Sequence, residues 1–184
     1  MKIVILGDSI RQAYGPVVEE ALRKEGHEVW QPVDNCRYAK HTFRMIFDYH
    51  EQIKDADIIH FNVGLWDVCK INDDINFTPL EQYIFDLERV AKALLKITPH
   101  VIFSTTTPVK PNHPHNNNVD IDEYNKAAIR VMNKLHVKVN DLGGLIKKDI
   151  ERYIKEEDLI HLTEEGVKVA SESVLKTIKE EIKK

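Results

Sequence analysis

Lys2-Ile3-Val4-Ile5-Leu6-Gly7-Asp8-Ser9-Ile10 is the stretch on which the reading of the fold turns. An apolar, β-branched run breaks at a glycine, and an acid and a serine follow before the next apolar residue. A run this short, bounded by a turn signal, predicts a buried strand rather than a helix. The pattern returns at 27–33, 57–63, 100–106 and 137–140, which predicts five strands in all. Helical periodicity fills the gaps at 16–24, 42–53, 80–97, 120–135 and 142–154, with a last helix from 164 to the C-terminus. Pro16 suits a first helical turn, Gly26 follows that helix's end, and Thr163 is a plausible N-cap ahead of Glu164 and Glu165. Strands alternating with helices predict an α/β chain on a parallel sheet. Right-handed crossovers then give a three-layer α/β/α sandwich in the flavodoxin-like order 2-1-3-4-5. Such sheets bind ligands beyond the carboxyl ends of the strands at the switch point, here between the first and third. The residues at those ends are Gly7-Asp8-Ser9 and Asn62-Val63-Gly64-Leu65-Trp66-Asp67.

The 184 residues suit one domain spanning 1–184, with 42% hydrophobic residues and too few Gly and Pro for a disordered or fibrous chain. With 26 basic against 30 acidic side chains there is no footprint for a nucleic-acid partner. Cys36 and Cys69 read as free thiols, too few for a disulfide framework and without zinc-site spacing. No apolar run approaches the roughly 20 residues of a membrane span, and the first is too short for a signal peptide, so a cytoplasmic location is expected. A homo-oligomer is left open.

Ser9 follows the first strand directly, so the sequence places it in a tight turn at the sheet's carboxyl edge. A serine nucleophile needs a base for its proton, and the base needs a carboxylate that fixes its tautomer and stabilises the imidazolium. Asp158-Leu159-Ile160-His161, just ahead of the last helix, offers both from one short loop.

Gly7-Asp8-Ser9-Ile10 near one end and Asp158-x-x-His161 near the other resemble the SGNH/GDSL hydrolase superfamily. Thr105-Thr106-Thr107-Pro108, Tyr124-Asn125 and Asn140-Asp141-Leu142 add softer echoes in the family's order. The resemblance spans nearly the whole chain and implies a flavodoxin-like fold and ester hydrolysis through an acyl-serine, with no cofactor or metal. It casts Ser9 as nucleophile, His161 as general base and then acid, and Asp158 as its orienting partner. A small-molecule ester, with a small acyl group such as acetyl and a carbohydrate-like alcohol, is the implied substrate.

The oxyanion hole departs from the family's pattern. Where the family has G-x-N-D, this chain reads Gly64-Leu65-Trp66-Asp67, so Trp66 replaces the asparagine donor. Losing one such donor costs about 10²–10³ in kcat, so a substitute is expected. Asn62, at the same alternation parity as Gly64, is the first candidate and the Trp66 indole the second. The second-strand loop, Asp34-Asn35-Cys36-Arg37-Tyr38-Ala39-Lys40, lacks the family's glycine. Asn35 or Cys36 then supplies the backbone N–H, beside those of Ser9 and Gly64. Arg37 is placed to reach a substrate hydroxyl or carboxylate, and Trp66 to form a pocket wall. Asp8 stands at the substrate edge, although its carboxylate equally suits loop N–H groups, as does that of Asp67.

His113 and His115 lie in a loop of prolines and asparagines, 110–118, which reads as a pocket rim or lid rather than a metal site. Longer acyl chains, as in a lysophospholipase or thioesterase, need an apolar groove. A non-catalytic flavodoxin-like binder is the alternative from another class. Flavin binding is disfavoured, because 7–15 has no glycine-rich phosphate cradle and carries anionic Asp8.

Overall fold

The computed structural model describes residues 1–72 and 75–183. Its five strands, β1 (Lys2–Leu6), β2 (Glu28–Trp30), β3 (Ile58–Asn62), β4 (Val101–Ser104) and β5 (Lys138–Asn140), form one sheet in the order β2-β1-β3-β4-β5. Every pairing is parallel. The order and the parallel sense are those predicted from the alternation of strands and helices. Strands covered on both faces read as continuous apolar runs, and β3, Ile58-Ile59-His60-Phe61-Asn62, is buried at every position.

The helices are α1 (Ser9–Lys24), α2 (Ala39–Asp48), α3 (His50–Ile53), α4 (Leu65–Val68), α5 (Leu80–Leu95), α6 (Asn118–Lys134), α7 (Leu142–Ile146), α8 (Ile150–Tyr153) and α9 (Glu164–Ile182). In one packed set α1 lies against α9, and in the other α2 lies against α5 and α5 against α6, which gives the layers of the sandwich. Tyr14, Val18 and Leu22 of α1 and Val174 and Ile178 of α9 are fully buried. Burying each aliphatic side chain of this size is worth about 1.5–3 kcal/mol.

Four local expectations are corrected. First, α1 starts at Ser9, not at Pro16, which lies inside the helix. The Asp8 side chain caps the helix by accepting from the Ile10 N–H at 3.0 Å, and the one N–H that Pro16 removes is tolerated. Second, the segment 42–53 breaks at Tyr49 into α2 and α3. Third, 142–154 is three short pieces: Gly143 and Gly144 weaken the first, and Asp149 starts the last by accepting from the Arg152 N–H. Fourth, α4, one turn over Leu65–Val68, was not foreseen. The cap of α9 is as predicted, with Thr163 Oγ1 accepting from the Gly166 N–H at 3.0 Å.

Registers Leu6↔Phe61, Asn62↔Ser104 and Ser104↔Asn140 align the carboxyl ends of four strands. The turn after β1 therefore opens beside the end of β3, and the loop after β4 stands next to both.

Candidate active site

A close approach of backbone and side chain sets the position of Ser9. A Cβ on Gly7 would lie 2.1 Å from Asn62 Oδ1 and 2.7 Å from Arg11 Cβ, so only glycine lets β1 turn against the end of β3. Asp8, 1% exposed, points inward and accepts from Asn62 Nδ2 at 2.8 Å, while Tyr14 Oη donates to Asn62 Oδ1 at 3.0 Å. Burial pushes the Asp8 carboxyl up; the bonds from Asn62 and Ile10 and the Arg11 charge oppose that rise. Arg11, also buried, donates to the carbonyls of Pro32 (2.9 Å) and Asp34 (2.7 Å) and so ties the loop after β2 to α1. Ser9 thus occupies the first position of α1 rather than a free turn. Its N–H has no intrahelical acceptor there, and among the described residues no protein group takes it.

The segment that carries Asp158 and His161 is built differently. Ile154 and Leu162 form an antiparallel bridge, and Lys155 N–H donates to the His161 carbonyl at 2.8 Å, closing a hairpin-like loop. Leu159 takes a left-handed φ of 63° at the tip, where Lys110 N–H donates to its carbonyl at 2.8 Å. Lys110 Nζ also pairs with Glu151 and Glu156, so the loop after β4 braces this hairpin.

Within the hairpin, Asp158 Oδ1 accepts from the N–H groups of Ile160 (3.0 Å) and His161 (2.8 Å). Its Oδ2 meets His161 Nδ1 at 2.9 Å, and His161 Nε2 lies 3.0 Å from Ser9 Oγ. Partial burial raises the Asp158 carboxyl, but the N–H groups of His161 and Ile160 and the imidazole overcome it and hold it at about 2. An ionised Asp158 fixes the Nδ1–H tautomer, which turns a lone pair of Nε2 toward the serine hydroxyl. The three residues singled out from the sequence form one hydrogen-bonded line.

That line opens on a pocket of about 280 Å³. Leu65, Trp66, Cys69, Ile71 and Ile160 give it an apolar wall; Asn35, His113, His115 and Asn116 give it a polar one. Trp66 stands as expected in the wall, 42% exposed. A larger apolar groove of about 900 Å³, between Phe43 and Phe47 of α2 and Arg89 of α5, includes none of Ser9, His161 and Asp158.

Several expected roles are corrected. Asn62 is not an oxyanion donor: it is buried, both ends of its amide are engaged by Asp8 and Tyr14, and it does not line the pocket. Cys36 does not offer its N–H, which donates to the Gly7 carbonyl at 3.0 Å, while its Sγ accepts from the Gly7 N–H at 3.2 Å. Burial pushes that thiol up to about 11, so it serves as an apolar clip. Gly64 is buried and does not line the pocket, and a Cβ there would come within 2.1 Å of Thr106 Oγ1. Asp8 is too buried to meet substrate. Arg37 is exposed and outside the pocket lining, its N–H held by Asn35 Oδ1 at 2.7 Å.

Asn35 does line the pocket, and its N–H has no acceptor among the described residues. Asn116 was missed. It is 7% exposed and lines the pocket, and its Nδ2 donates to the Leu65 carbonyl at 3.1 Å, leaving the second amide hydrogen for another acceptor. The run Asn116-Asn117-Asn118 was the available signal, but its loop-forming composition masked it. Among the described residues no group of three or more His, Cys, Asp or Glu could hold a metal, and no helix is long and apolar enough to cross a membrane.

No family model matches the sequence, and no curated relative does. Solved structures do resemble it. An acetyl xylan esterase superposes with a TM-score of 0.79 at 19% identity, over 97% of this chain and 100% of that one. A lipase/acylhydrolase from Enterococcus faecalis gives 0.79 at 19% identity, over 97% and 95%. An acetylxylan esterase from Geobacillus stearothermophilus gives 0.75 at 14% identity, over 96% and 93%. The α/β sandwich of this chain is therefore the fold of these esterases and this acylhydrolase.

Proposed function

We propose that the protein is a serine ester hydrolase acting on a small acyl ester, with acetyl the best-fitting acyl group. The observation that carries this reading is the unbroken line from Ser9 Oγ through His161 to Asp158, opening on a pocket at the sheet's carboxyl edge. A volume near 280 Å³ lies at the small end of ligand pockets, which run about 300–1,000 Å³, and favours a short acyl group. Two solved variants of the Geobacillus esterase are catalytic mutants, one at a serine and one at a histidine, which supports the same division of labour here.

In the proposed reaction Ser9 Oγ attacks the ester carbonyl carbon while His161 Nε2 takes the hydroxyl proton. The oxyanion is held by the N–H groups of Ser9 and Asn35 and by the Asn116 amide, and Asp158 stabilises the imidazolium. The carbon–oxygen bond to the alcohol breaks, and His161 passes its proton to the departing oxygen. Water, deprotonated by His161, then attacks the acyl carbon, the bond from that carbon to Ser9 Oγ breaks, and His161 returns its proton to Ser9 Oγ as the acid leaves. Every proton and electron pair comes from the chain, the ester or water.

The deciding experiment is hydrolysis of p-nitrophenyl acetate, butyrate and octanoate by the wild type and by Ser9→Ala and His161→Ala. Turnover by the wild type that both substitutions remove, with acetate preferred, is the expected result. A preference for octanoate would move the reading to a longer-chain acylhydrolase, and equal inertness of all three proteins would overturn it.

A further inference from the structure

Beside Ser9 and His161 the pocket contains two further imidazoles, both from the loop after β4 and neither used by the hydrolysis just described. Their hydrogen bonds place them in opposite tautomers. His113 Nδ1 accepts two backbone N–H groups of its own loop, those of Asn116 at 3.0 Å and His115 at 3.2 Å, so its proton sits on Nε2. His115 Nδ1 faces the Lys70 carbonyl at 2.9 Å, which can only accept, so that nitrogen carries the proton and Nε2 keeps a lone pair. Lys70 N–H in turn donates to the His115 carbonyl at 2.7 Å, so His115 is held at backbone and ring alike. Partial burial and the neighbouring His115 and His161 push the His113 imidazole down, against the pull of Asp158, and so favour its neutral form.

We infer that His113 and His115 form a donor–acceptor pair that recognises a hydroxyl on the alcohol portion of the ester. A hydroxyl is the group that answers both at once, accepting from His113 Nε2–H and donating to His115 Nε2. The ring centroids are 6.2 Å apart, so a small polar group between the rings is within reach of both. An alkyl alcohol would forgo both hydrogen bonds and leave the two nitrogens to water, His115 being exposed and His113 half-buried. His113 and His115 are thus specificity residues for a hydroxyl carried near the scissile ester. This inference rests on the esterase reading above.

The test compares cyclohexyl acetate with the monoacetate of trans-cyclohexane-1,2-diol, which differ by one hydroxyl. The wild type should favour the hydroxylated ester by about 10-fold in kcat/KM, mainly through KM, the size of one well-made hydrogen bond. His113→Asn keeps an amide oxygen for the two loop N–H groups and loses the pocket donor; His115→Asn keeps a donor for the Lys70 carbonyl and loses the pocket acceptor. Each should bring the ratio close to one without lowering the thermal midpoint.

Equal rates on both esters in the wild type, or a preference that survives both substitutions, would overturn the inference while leaving the esterase reading intact. Inertness on every ester would instead sink the esterase reading. The pair is then read directly from long-range ¹H–¹⁵N spectra of the imidazoles titrated with cyclohexane-1,2-diol. Nε2–H on His113, Nδ1–H on His115 and shifts of both on titration would support it, whereas reversed tautomers or no response would refute it.

Discussion

Two arms meet at Ser9, and they are held by opposite means. The Ser9 arm rests on a buried polar layer, in which Asp8, Asn62, Tyr14 and Arg11 are each at most 4% exposed and bond one another or nearby carbonyls. The His161 arm is an exposed hairpin in which Asp158 and His161, three residues apart, are oriented by N–H groups of their own loop. Long-range partners fix the first arm and local geometry fixes the second. Stability and catalysis should therefore separate between them: damage to the buried layer unfolds the protein, and damage to the hairpin leaves a folded protein without activity.

The largest effect should come from the hairpin. Asp158→Asn loses the anion that fixes the His161 tautomer, and in serine triads this costs on the order of 10⁴ in turnover. Steady-state kinetics on p-nitrophenyl acetate, read beside a thermal melt, should show that loss with almost no shift in the melting midpoint. A large shift would break the comparison.

Asn62→Ala strikes the buried layer. It strands the Asp8 carboxylate and the Tyr14 hydroxyl in the interior, at a cost of about 2–4 kcal/mol. Urea unfolding measures this, and a variant of unchanged stability but low kcat would return Asn62 to the oxyanion. Asn116→Ala is its counterpart on the pocket wall. Removing an oxyanion donor lowers kcat by about 10²-fold, so a change confined to KM would deny Asn116 that role.

A smaller effect appears as acid sensitivity under β3. His60 is fully buried with Nε2 2.8 Å from Ser104 Oγ, and burial lowers its imidazole to about 3 from an ordinary 6.5. Below pH 6.5 the unfolded chain takes up a proton that the folded one refuses, so stability falls as pH drops from 6.5 toward 3. His60→Gln keeps a polar end for Ser104 and should flatten that part of the stability–pH curve; an unchanged slope would assign the acid loss elsewhere. Asp67 runs the other way. Burial raises its carboxyl to about 7 against bonds from Thr78 and the Ala39 N–H, so its contribution wanes as pH rises from about 4 to 7. Asp67→Asn should remove that slope in thermal melts.

The strand pattern and the hydrogen-bonded line of Ser9, His161 and Asp158 were legible because each rests on short-range information. A buried parallel strand must be apolar throughout, which exposes Lys2–Leu6 and Ile58–Asn62 to inspection. Asp158 and His161 carry their geometry within four residues, and Ser9 is fixed by the strand end before it. Helix breaks at Tyr49 and Asp149 were not legible, because one cap or one backbone angle outweighs a continuing apolar period.

What the sequence determined by itself was the order of the sheet, the edge where a site must lie and the three residues of the line from serine to carboxylate. Only the tertiary structure decided which amide faces the pocket. Asn62 and Asn116 are the same residue type beside the same strand ends, yet Asn62 is turned inward by Asp8 and Tyr14, while Asn116 is carried to the pocket by a loop that bonds Leu65. Such a choice depends on which donors and acceptors must be satisfied across 50 or so residues of intervening chain, and no local pattern encodes that.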